Sequence, residues 1–283
     1  MKKAIFGLGA IAVVVATSAA AKDEQAMASD DVIAAQRAAL AAATDGKGYG
    51  PQSPRDISTA AGNNTRVFSE APAATAMSLC DIHFHENAEH KGGEFTTYAG
   101  NGDGHGYGTG FKYDGTLSAA ELAPIDRVIG ASEHGDLVPG DTIEVHFVHS
   151  TAQASLGNSL GTCLSEAIGN PQLRVETVVA VLVSEGGADF NQMAKIEQIN
   201  GLNQVPNLPD TLGTPVVYEG STTGPGYNEK GSPFQVTWSV RPQVAKVNIG
   251  SLGDWLEDNP FDEDHAHGVR NLVLNPDLLS AID

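Results

Sequence analysis

Basic residues are scarce in this 283-residue chain. It carries 16 lysines and arginines against 35 aspartates and glutamates, which gives a formal net charge of −19 at pH 7. The phosphates of nucleic acids and the surface of an anionic membrane repel a protein of this charge. The composition therefore argues against both as partners and favours a small or neutral ligand, without naming a substrate.

Long apolar runs are also missing, apart from one at the start of the chain. The sequence MKK precedes an apolar run over residues 4–16, which is shorter than the about 20 residues of a membrane-spanning helix. A small-x-small pattern, of the kind that signal peptidase reads, then ends at Ala21. We expect a signal peptide over residues 1–21 rather than a membrane anchor, and an exported mature protein that is periplasmic or secreted and has no membrane segment.

Cysteines are limited to Cys80 and Cys163. In an exported chain such a pair is typically oxidised, so a disulfide is favoured over free thiols or metal ligands. The bond would close a loop of about 80 residues and stabilise the fold by about 4 kcal/mol in the chain-entropy treatment. It would also anchor the segment that leads to His83.

The remaining sequence divides into a short N-terminal part and a longer part with β-type texture. DDVIAAQRAALAAAT predicts a helix, and DGKGYGPQSPRD predicts a linker, so little catalytic chemistry is expected in residues 22–62. Residues 63–283 can form one domain with a full core. The clearest strands there are SLCDIHFH, DTIEVHFVH, VETVVAVLV, FQVTWSV and VAKVNI. These patterns predict an α+β, β-dominated fold.

Several common catalytic motifs are absent from the sequence. There is no H-E-x-x-H helix and no G-x-S-x-G elbow. The glycine-rich stretch GNGDGHGYGTGFKYDG lacks the strand–turn–helix setting of a phosphate-binding loop, so we interpret it as an inserted loop within residues 91–131.

What the chain does have is a concentration of histidines, since CDIHFHENAEH holds three of the nine. Alternate residues of a strand share a face, so His83 and His85 point the same way. In DTIEVHFVH the same rule places Glu144 and His146 on one face and His149 on the other. If the two strands are neighbours, His146 completes three nitrogen ligands and leaves a fourth position for water, as in a catalytic zinc site.

Two further assignments follow from the same alternation. Glu144 can accept the proton of the second ring nitrogen of His146, which is the usual partner of a metal-bound histidine. His149 is predicted to be a hydrogen-bonded core histidine rather than a ligand. The alternative for the whole set is two ordinary strands with surface histidines.

At this point the sequence resembles a known family. HFHENAEH and IEVHFVHS resemble the zinc-binding strands of carbonic anhydrases, which in the alpha class are of the types HFHxxxEH and ELHLVH. GSTTGP, VTWSV and AVLV resemble further family segments in the same order, over residues 80 to about 255. CDIHFHENAEHKGGEF and its long insertion are most similar to the delta class. The resemblance implies a single domain around a large, mostly antiparallel twisted sheet like that of the alpha-carbonic-anhydrase fold.

The resemblance also implies a cofactor and a reaction. Zinc would be held by His83, His85 and His146, and zinc-bound hydroxide would hydrate CO2 reversibly to bicarbonate and a proton. The alternatives are a catalytically inactive module of this type that binds a metal or another ligand, and a zinc-hydroxide esterase. Protons would leave through buffer or through His90, His105 or His134, because no histidine precedes His83 in the chain.

The resemblance to carbonic anhydrases also implies roles for other residues, by their positions in the matching segments. The catalytic set is Thr222, which would orient the hydroxide, Glu89, which would accept the threonine proton, and Glu144 behind His146. Glu133 is the alternative to Glu89, because it too has the family's spacing. The threonine loop is one residue shorter than the family's, which leaves its register open by one residue. The substrate pocket would be lined by Val148, Val181, Thr223 and Trp238.

Overall fold

Strands dominate the part of the chain that the computed structural model describes, which is residues 27–66 and 68–282. The five strands expected from the sequence are all present, and seven others accompany them. The strands are β1 (Ser78–Glu86), β2 (Thr97–Tyr98), β3 (Phe111–Lys112), β4 (Ile129–Ser132), β5 (Gly135–Leu137), β6 (Thr142–Ser150), β7 (Leu173–Val183), β8 (Glu197–Ile199), β9 (Leu202–Gln204), β10 (Val216–Ser221), β11 (Gln235–Val240) and β12 (Ala245–Asn248).

Helices are few in the described residues. They are α1 (Asp30–Thr44), α2 (Phe190–Met193) and α3 (Ile249–Glu257), with 3-10 turns at Ala74–Ala76, Leu160–Cys163, Pro225–Tyr227 and Pro276–Leu278. The helix predicted from DDVIAAQRAALAAAT is confirmed as α1, whereas α3 was not expected. Within the described ranges, no helix combines the length and the hydrophobicity needed to cross a membrane.

One six-stranded sheet organises the fold. Its strands lie in the order β1-β6-β7-β11-β10, and β12 is also hydrogen-bonded to β7. The pairs β1–β6, β6–β7 and β10–β11 are antiparallel, while β11 and β12 run parallel to β7. The long strand β7 accommodates both parallel partners on one edge, since β11 pairs with its first half and β12 with its second. The predicted β-dominated fold with one large sheet is confirmed, and the sheet is mixed.

Alternation along the central strands separates two hydrophobic layers. Ile82, Phe84 and Val145 belong to the larger core on one face of the sheet. Val148 and Trp238 belong to a second core on the opposite face. The three candidate ligands occupy strand positions that point towards the second face. They therefore lie on the face of the sheet that carries the second core.

The cysteines form the expected bond. Cys80 and Cys163 are joined by a disulfide, which confirms that prediction. Cys163 ends the 3-10 turn that follows β6, and Cys80 lies in β1. The bond therefore ties this turn to the strand that carries His83 and His85.

The segment predicted to be a linker is instead part of the core. Gln52, Ser53 and Arg55 are completely buried. Arg55 donates to the carbonyls of Ser280, Thr59 and Ala61, so its charge is hydrogen-bonded although it is out of water. The prediction of a linker is wrong for these residues. Their polar side chains can be buried because carbonyl groups, some of them far along the chain, accept their hydrogen bonds. The predicted signal peptide, residues 1–21, lies outside the described residues.

Candidate metal centre

Three imidazoles converge between β1 and β6. The antiparallel register places His83 opposite His146 and His85 opposite Glu144. One ring nitrogen from each of His83, His85 and His146 lies within 4.8 Å of the others. His83 Nε2 and His146 Nδ1 are 3.2 Å apart. A tetrahedral zinc ion, with Zn–N distances of 2.0–2.1 Å, separates its nitrogen ligands by about 3.3 Å.

The other nitrogen of each ring has its own acceptor. His83 Nδ1 lies 2.7 Å from Asp81 Oδ2. His85 Nδ1 lies 2.9 Å from the carbonyl oxygen of Gly268. His146 Nε2 lies 2.8 Å from Glu144 Oε1. Because carboxylates and carbonyls only accept, each ring in its neutral form carries its proton on this nitrogen and a lone pair on the other.

The inward nitrogens therefore fit a cation. When both rings are neutral, the 3.2 Å contact between His83 Nε2 and His146 Nδ1 brings two lone pairs together, and it is a hydrogen bond only while one of these nitrogens carries a proton. His85 Nε2 is buried and has no hydrogen-bond partner among the described residues. Leaving such a group unpaired is costly, and a zinc ion would satisfy all three nitrogens at once.

Glu144 is the centre of a buried hydrogen-bond network. In addition to His146, it accepts from His90 Nδ1 at 2.6 Å and from the His90 amide at 3.0 Å. His90 Nε2 then contacts the hydroxyl of Tyr218 at 2.7 Å, and Tyr218 donates to Ser53 Oγ. Burial raises the pKa of Glu144, but His90 and His146 together hold it well below its usual value. The carboxylate therefore stays charged behind the third ligand.

The three rings differ in their electrostatics. Burial lowers the pKa of His146 to about 4, and burial with the neighbouring imidazoles lowers that of His85 well below its usual value. Burial also lowers the pKa of His83, but Asp81 outweighs it and raises the pKa to about 8. Any proton on the inward nitrogen of His83 has to leave when a cation binds.

A cavity of about 200 Å³ opens onto this centre. His83 is 24% exposed, while His85 and His146 are nearly buried, and His83 and His146 are the two candidate ligands that line the cavity. Most of the other lining is apolar. The remaining lining residues are Asp81, Val148, Leu160, Leu173, Val175, Thr222, Thr223, Tyr227, Val236 and Trp238.

One predicted pocket residue is misplaced. Val148 and Trp238 line the cavity, but Val181 does not. Val181 pairs with Thr142 at the far end of β6, whereas Val175 pairs with Val148. The prediction for Val181 is wrong because same-face valines recur along β7, and the strand register brings Val175 to the cavity instead.

The two threonines of the loop, whose register the sequence left open by one residue, have different partners. The hydroxyl of Thr222 is hydrogen-bonded to that of Ser232. Thr223 is the residue that interacts with the Glu89 carboxylate. Glu89 Oε2 has no hydrogen-bond partner of standard geometry in the described part of the chain, so this contact is weaker than a full hydrogen bond. The orienting role assigned to Thr222 therefore fits Thr223 better.

The two candidate acids lie in different surroundings. Glu89 is buried, with its carboxylate 3.8 Å from His85 Nδ1 and from His146 Nε2. Burial and the nearby Glu144 carboxylate raise the pKa of Glu89 to about 7. Glu133 is on the surface, with an 89% exposed side chain. Only Glu89 is positioned to contact the centre.

Several site residues were not predicted. Asp81 lies two residues before His83 on the same strand face, so strand alternation could have indicated it. Gly268 and Tyr218 come from distant segments, and no local pattern links them to the histidines. His267 is also near, with its ring centroid 5.9 Å from that of His83 and its Nε2 bonded to Glu263. His149 lies on the opposite sheet face and bonds to the Phe147 carbonyl, away from the centre.

Fold and site together describe a β-sheet protein with a candidate three-histidine metal centre at the base of an apolar cavity. The sequence model of the family described as delta carbonic anhydrase matches residues 74–251. This match covers more than half of the chain. The chain belongs to the delta carbonic anhydrase family.

Comparison with solved structures finds carbonic anhydrases at low similarity. A hyperthermostable carbonic anhydrase from an active hydrothermal vent chimney shares 16% identity, with 80% of this chain and 85% of that chain covered and a TM-score of 0.28. The alpha-carbonic anhydrase of Thermovibrio ammonificans, solved with the inhibitor sulfanilamide, shares 16% identity, with coverages of 78% and 84% and a TM-score of 0.27. For the alpha-carbonic anhydrase of Photobacterium profundum these values are 16%, 85%, 93% and 0.27. No curated protein matches the sequence.

Proposed function

We propose that this protein is a zinc-dependent carbonic anhydrase that interconverts CO2 and bicarbonate. The observation that carries the proposal is the arrangement of the three inward nitrogens. In its neutral form each ring has its proton engaged on the outer side by Asp81, Gly268 or Glu144, so each presents a lone pair inward. These lone pairs face one small volume beside an apolar cavity.

His83, His85 and His146 would hold the ion. When bound, zinc would lower the pKa of a water molecule from 15.7 to about 7, so that hydroxide is available near neutral pH. Three neutral imidazoles add no negative charge at this position. The charged Glu144 is kept behind His146, where it fixes the tautomer of the ring.

Thr223 and Glu89 would orient the nucleophile. With its proton directed towards the Glu89 carboxylate, Thr223 Oγ1 has lone pairs left to accept a hydrogen bond from the reacting water. Such a contact fixes the direction of attack, which is a large part of the advantage of a bound reaction partner. Glu89 is held in turn by the backbone amide of Arg270, at 3.2 Å.

The apolar wall would hold the substrate. CO2 has no net charge, and Val148, Val175 and Trp238 offer it a surface from which water is easily displaced. Bicarbonate is charged and is solvated better outside this surface, which favours its release. No nucleic acid or membrane partner is required for this reaction.

The proton that the reaction releases must reach solvent. Of the histidines considered above, His90 is completely buried, with both ring nitrogens bonded inside the protein. His134 is covered by the ring of Tyr107 at a centroid distance of 3.4 Å. His105 is exposed on the glycine-rich loop, where its backbone amide is bonded to Asp103. Because none of the three is shown to link the centre to solvent, we infer that the proton leaves mainly through buffer, so the turnover number should rise with buffer concentration.

Zinc analysis combined with stopped-flow CO2 hydration tests the proposal. Purified mature protein should contain about one zinc per chain and hydrate CO2. His146→Ala should abolish both properties, whereas the matched His149→Ala variant on the opposite face should keep zinc. Zinc without turnover would indicate an inactive binding module. Ester hydrolysis without CO2 hydration would indicate an esterase.

We also propose that the protein is exported, to the periplasm or the medium. The disulfide between Cys80 and Cys163 supports this, because such bonds persist in oxidising compartments. N-terminal sequencing of the protein from the periplasmic and secreted fractions should begin at Lys22. Full-length protein confined to the membrane or cytoplasm would contradict the proposal.

A further inference from the structure

The glycine-rich loop, residues 100–110, contacts the segment that carries the acceptor of His85. This acceptor is the carbonyl of Gly268, 183 positions later in the sequence than the ring it contacts. The backbone next to Gly268 extends β1 at its edge. The His267 amide donates to the Phe84 carbonyl, and the His267 carbonyl accepts from the Glu86 amide. On its other side, this backbone meets the glycine-rich loop.

A single peptide group links the loop to the ligand. The peptide between Gly268 and Val269 has its C=O on His85 Nδ1, at 2.9 Å, and its N–H on the carbonyl of Gly106, at 2.8 Å. In a planar trans peptide the C=O and N–H point in opposite directions, so fixing one fixes the other. Hydrogen bonds in such a chain also polarise one another.

The loop holds this peptide closely. The phenol oxygen of Tyr107 lies near the Gly268 amide, although without a hydrogen bond of standard geometry, and the Tyr107 ring is stacked on His134 with planes 9° apart. A Cβ on Gly106 would lie 2.8 Å from the Val269 carbonyl oxygen, and one on Gly268 would lie 3.0 Å from the Gly106 carbonyl carbon. The two backbones therefore approach as only glycines allow, and Gly106 additionally has φ +125°.

The loop is itself braced from two sides. Asp103 Oδ1 accepts from the amides of His105, Gly106 and Tyr107, which fixes the turn that presents the Gly106 carbonyl. On α1, the Gln36 amide donates to Gly104 O, and its oxygen accepts from Asn271 Nδ2. Helix α1 thus contacts both the loop and the segment that follows Gly268.

We propose that the glycine-rich insertion is a positioning element for the metal centre. Through Gly106 and Tyr107 it clamps the Gly268–Val269 peptide, which keeps the proton of His85 on Nδ1 and the lone pair of Nε2 directed inward. Gly106 and Tyr107 are positioning residues, because neither touches the inward nitrogens. The proposal rests on the proposed function, since it assigns His85 as a zinc ligand.

The test has a readout that needs no metal. Long-range ¹H–¹⁵N NMR on the metal-free protein reports which ring nitrogen of His85 carries the proton, and a chelator chase reports the rate of zinc loss. Wild type should show the Nδ1–H tautomer. Tyr107→Phe and Gly106→Ala should each populate the Nε2–H tautomer and release zinc faster. We expect about 3- to 10-fold for Tyr107→Phe, below the 10- to 100-fold typical of residues that contact a ligand directly.

Matched controls exist in this loop and directly before it. Tyr98→Phe removes a hydroxyl that bonds only within the insertion, to Asn101 and Thr109. Gly108→Ala introduces a side chain at another positive φ, where the nearest atom of a Cβ would be 3.5 Å away. Both should behave as wild type. If Gly106→Ala does not fold, Tyr107→Phe still decides the question.

Two results would overturn the proposal. One is an unchanged His85 tautomer and unchanged zinc loss in Tyr107→Phe. The other is an equal effect in the Tyr98→Phe control, since the loop would then act only through general stability. Failure of the proposed function would look different. A protein without CO2 hydration could still show the Nδ1–H tautomer and its dependence on Tyr107.

Discussion

Replacing Thr223 by alanine tests which hydroxyl of the GSTTGP loop orients the reacting water. The structure places Thr223, not Thr222, next to the Glu89 carboxylate, while Thr222 is bonded to Ser232. Both threonines line the cavity, so proximity alone does not distinguish them. The two alanine variants should therefore lose different properties.

The expected magnitudes follow from these contacts. Losing a positioned hydrogen-bonding group at a reaction centre costs about 10²- to 10³-fold in rate. Since the Thr223–Glu89 contact is weaker than a full hydrogen bond, we expect the lower end, about 10²-fold in kcat/KM. Thr222→Ala removes the hydrogen bond to Ser232, which joins two neutral groups and does not involve the reacting water. It should therefore lower the free energy of unfolding by about 1 kcal/mol. Its rate should stay within about threefold of wild type.

Stopped-flow CO2 hydration, zinc analysis and urea unfolding measure the three quantities. Both variants should retain zinc, because neither residue holds the ion. Thr223→Ser, which keeps the hydroxyl, should recover most of the rate and serves as the matched control. A hundredfold loss in Thr222→Ala with normal activity in Thr223→Ala would refute the assignment. It would mean that the loop register inferred from the structure is off by one residue.

Three other perturbations test separate parts of the molecule. Glu144→Ala should weaken zinc binding by about 10- to 100-fold in a competition titration, because His146 loses the acceptor that fixes its tautomer; an unchanged affinity would contradict this role. The double variant Cys80→Ala, Cys163→Ala should lower the free energy of unfolding by about 4 kcal/mol, since the bond closes a loop with a sequence separation of 83; a change below about 1 kcal/mol in urea would contradict the estimate. Burial lowers the pKa of His149 to about 4. Between pH 6.5 and 4 the folded protein therefore binds fewer protons than the unfolded chain, so the free energy of unfolding falls as the pH falls through this window. His149→Gln should remove up to about 3 kcal/mol of that loss, and parallel pH–stability curves for variant and wild type would rule this out.

Strand alternation explains why much of the centre was predictable. A period of two fixes which residues of one strand share a face, so the sequence alone places His83 with His85 on one strand and Glu144 with His146 on the other. Pairing β1 with β6 then brings the two pairs together. The same reasoning places His149 on the opposite face. These predictions need only the period of a strand and one antiparallel neighbour.

The register between neighbouring strands, unlike the alternation within one strand, could not be predicted from the sequence. The valine-rich sequence of β7 offers several same-face positions, and a short match to AVLV selected Val181. The position next to the cavity is set by the pairing of β7 with β6, where Val175 lies opposite Val148. Nothing in the local pattern distinguishes these two valines. The threonine loop has the same difficulty, because a one-residue deletion does not reveal which hydroxyl turns inward.

Hydrogen-bond acceptors from distant parts of the chain could not be predicted from the sequence either. Asp81 and Glu144 lie two residues from the histidines that they contact, so alternation places them. The Gly268 carbonyl comes from the other end of the chain, and the backbone offers no residue-specific signal for it. Likewise, the segment around Gln52 and Ser53 has the composition of a linker, and only distant partners make it part of the core.

This distribution of acceptors has a consequence for the family match, which ends at residue 251. All three candidate ligands lie inside the matched region, but His85 depends on Gly268 and Glu89 depends on the Arg270 amide, which both lie beyond it. A chain could therefore keep every zinc-binding residue of the family and still fail to fix the tautomer of one of them. In this protein that task falls to the residues 267–270 and to the loop that packs on them. Variation in metal affinity among relatives with the same three histidines should therefore follow these segments more closely than the ligands themselves.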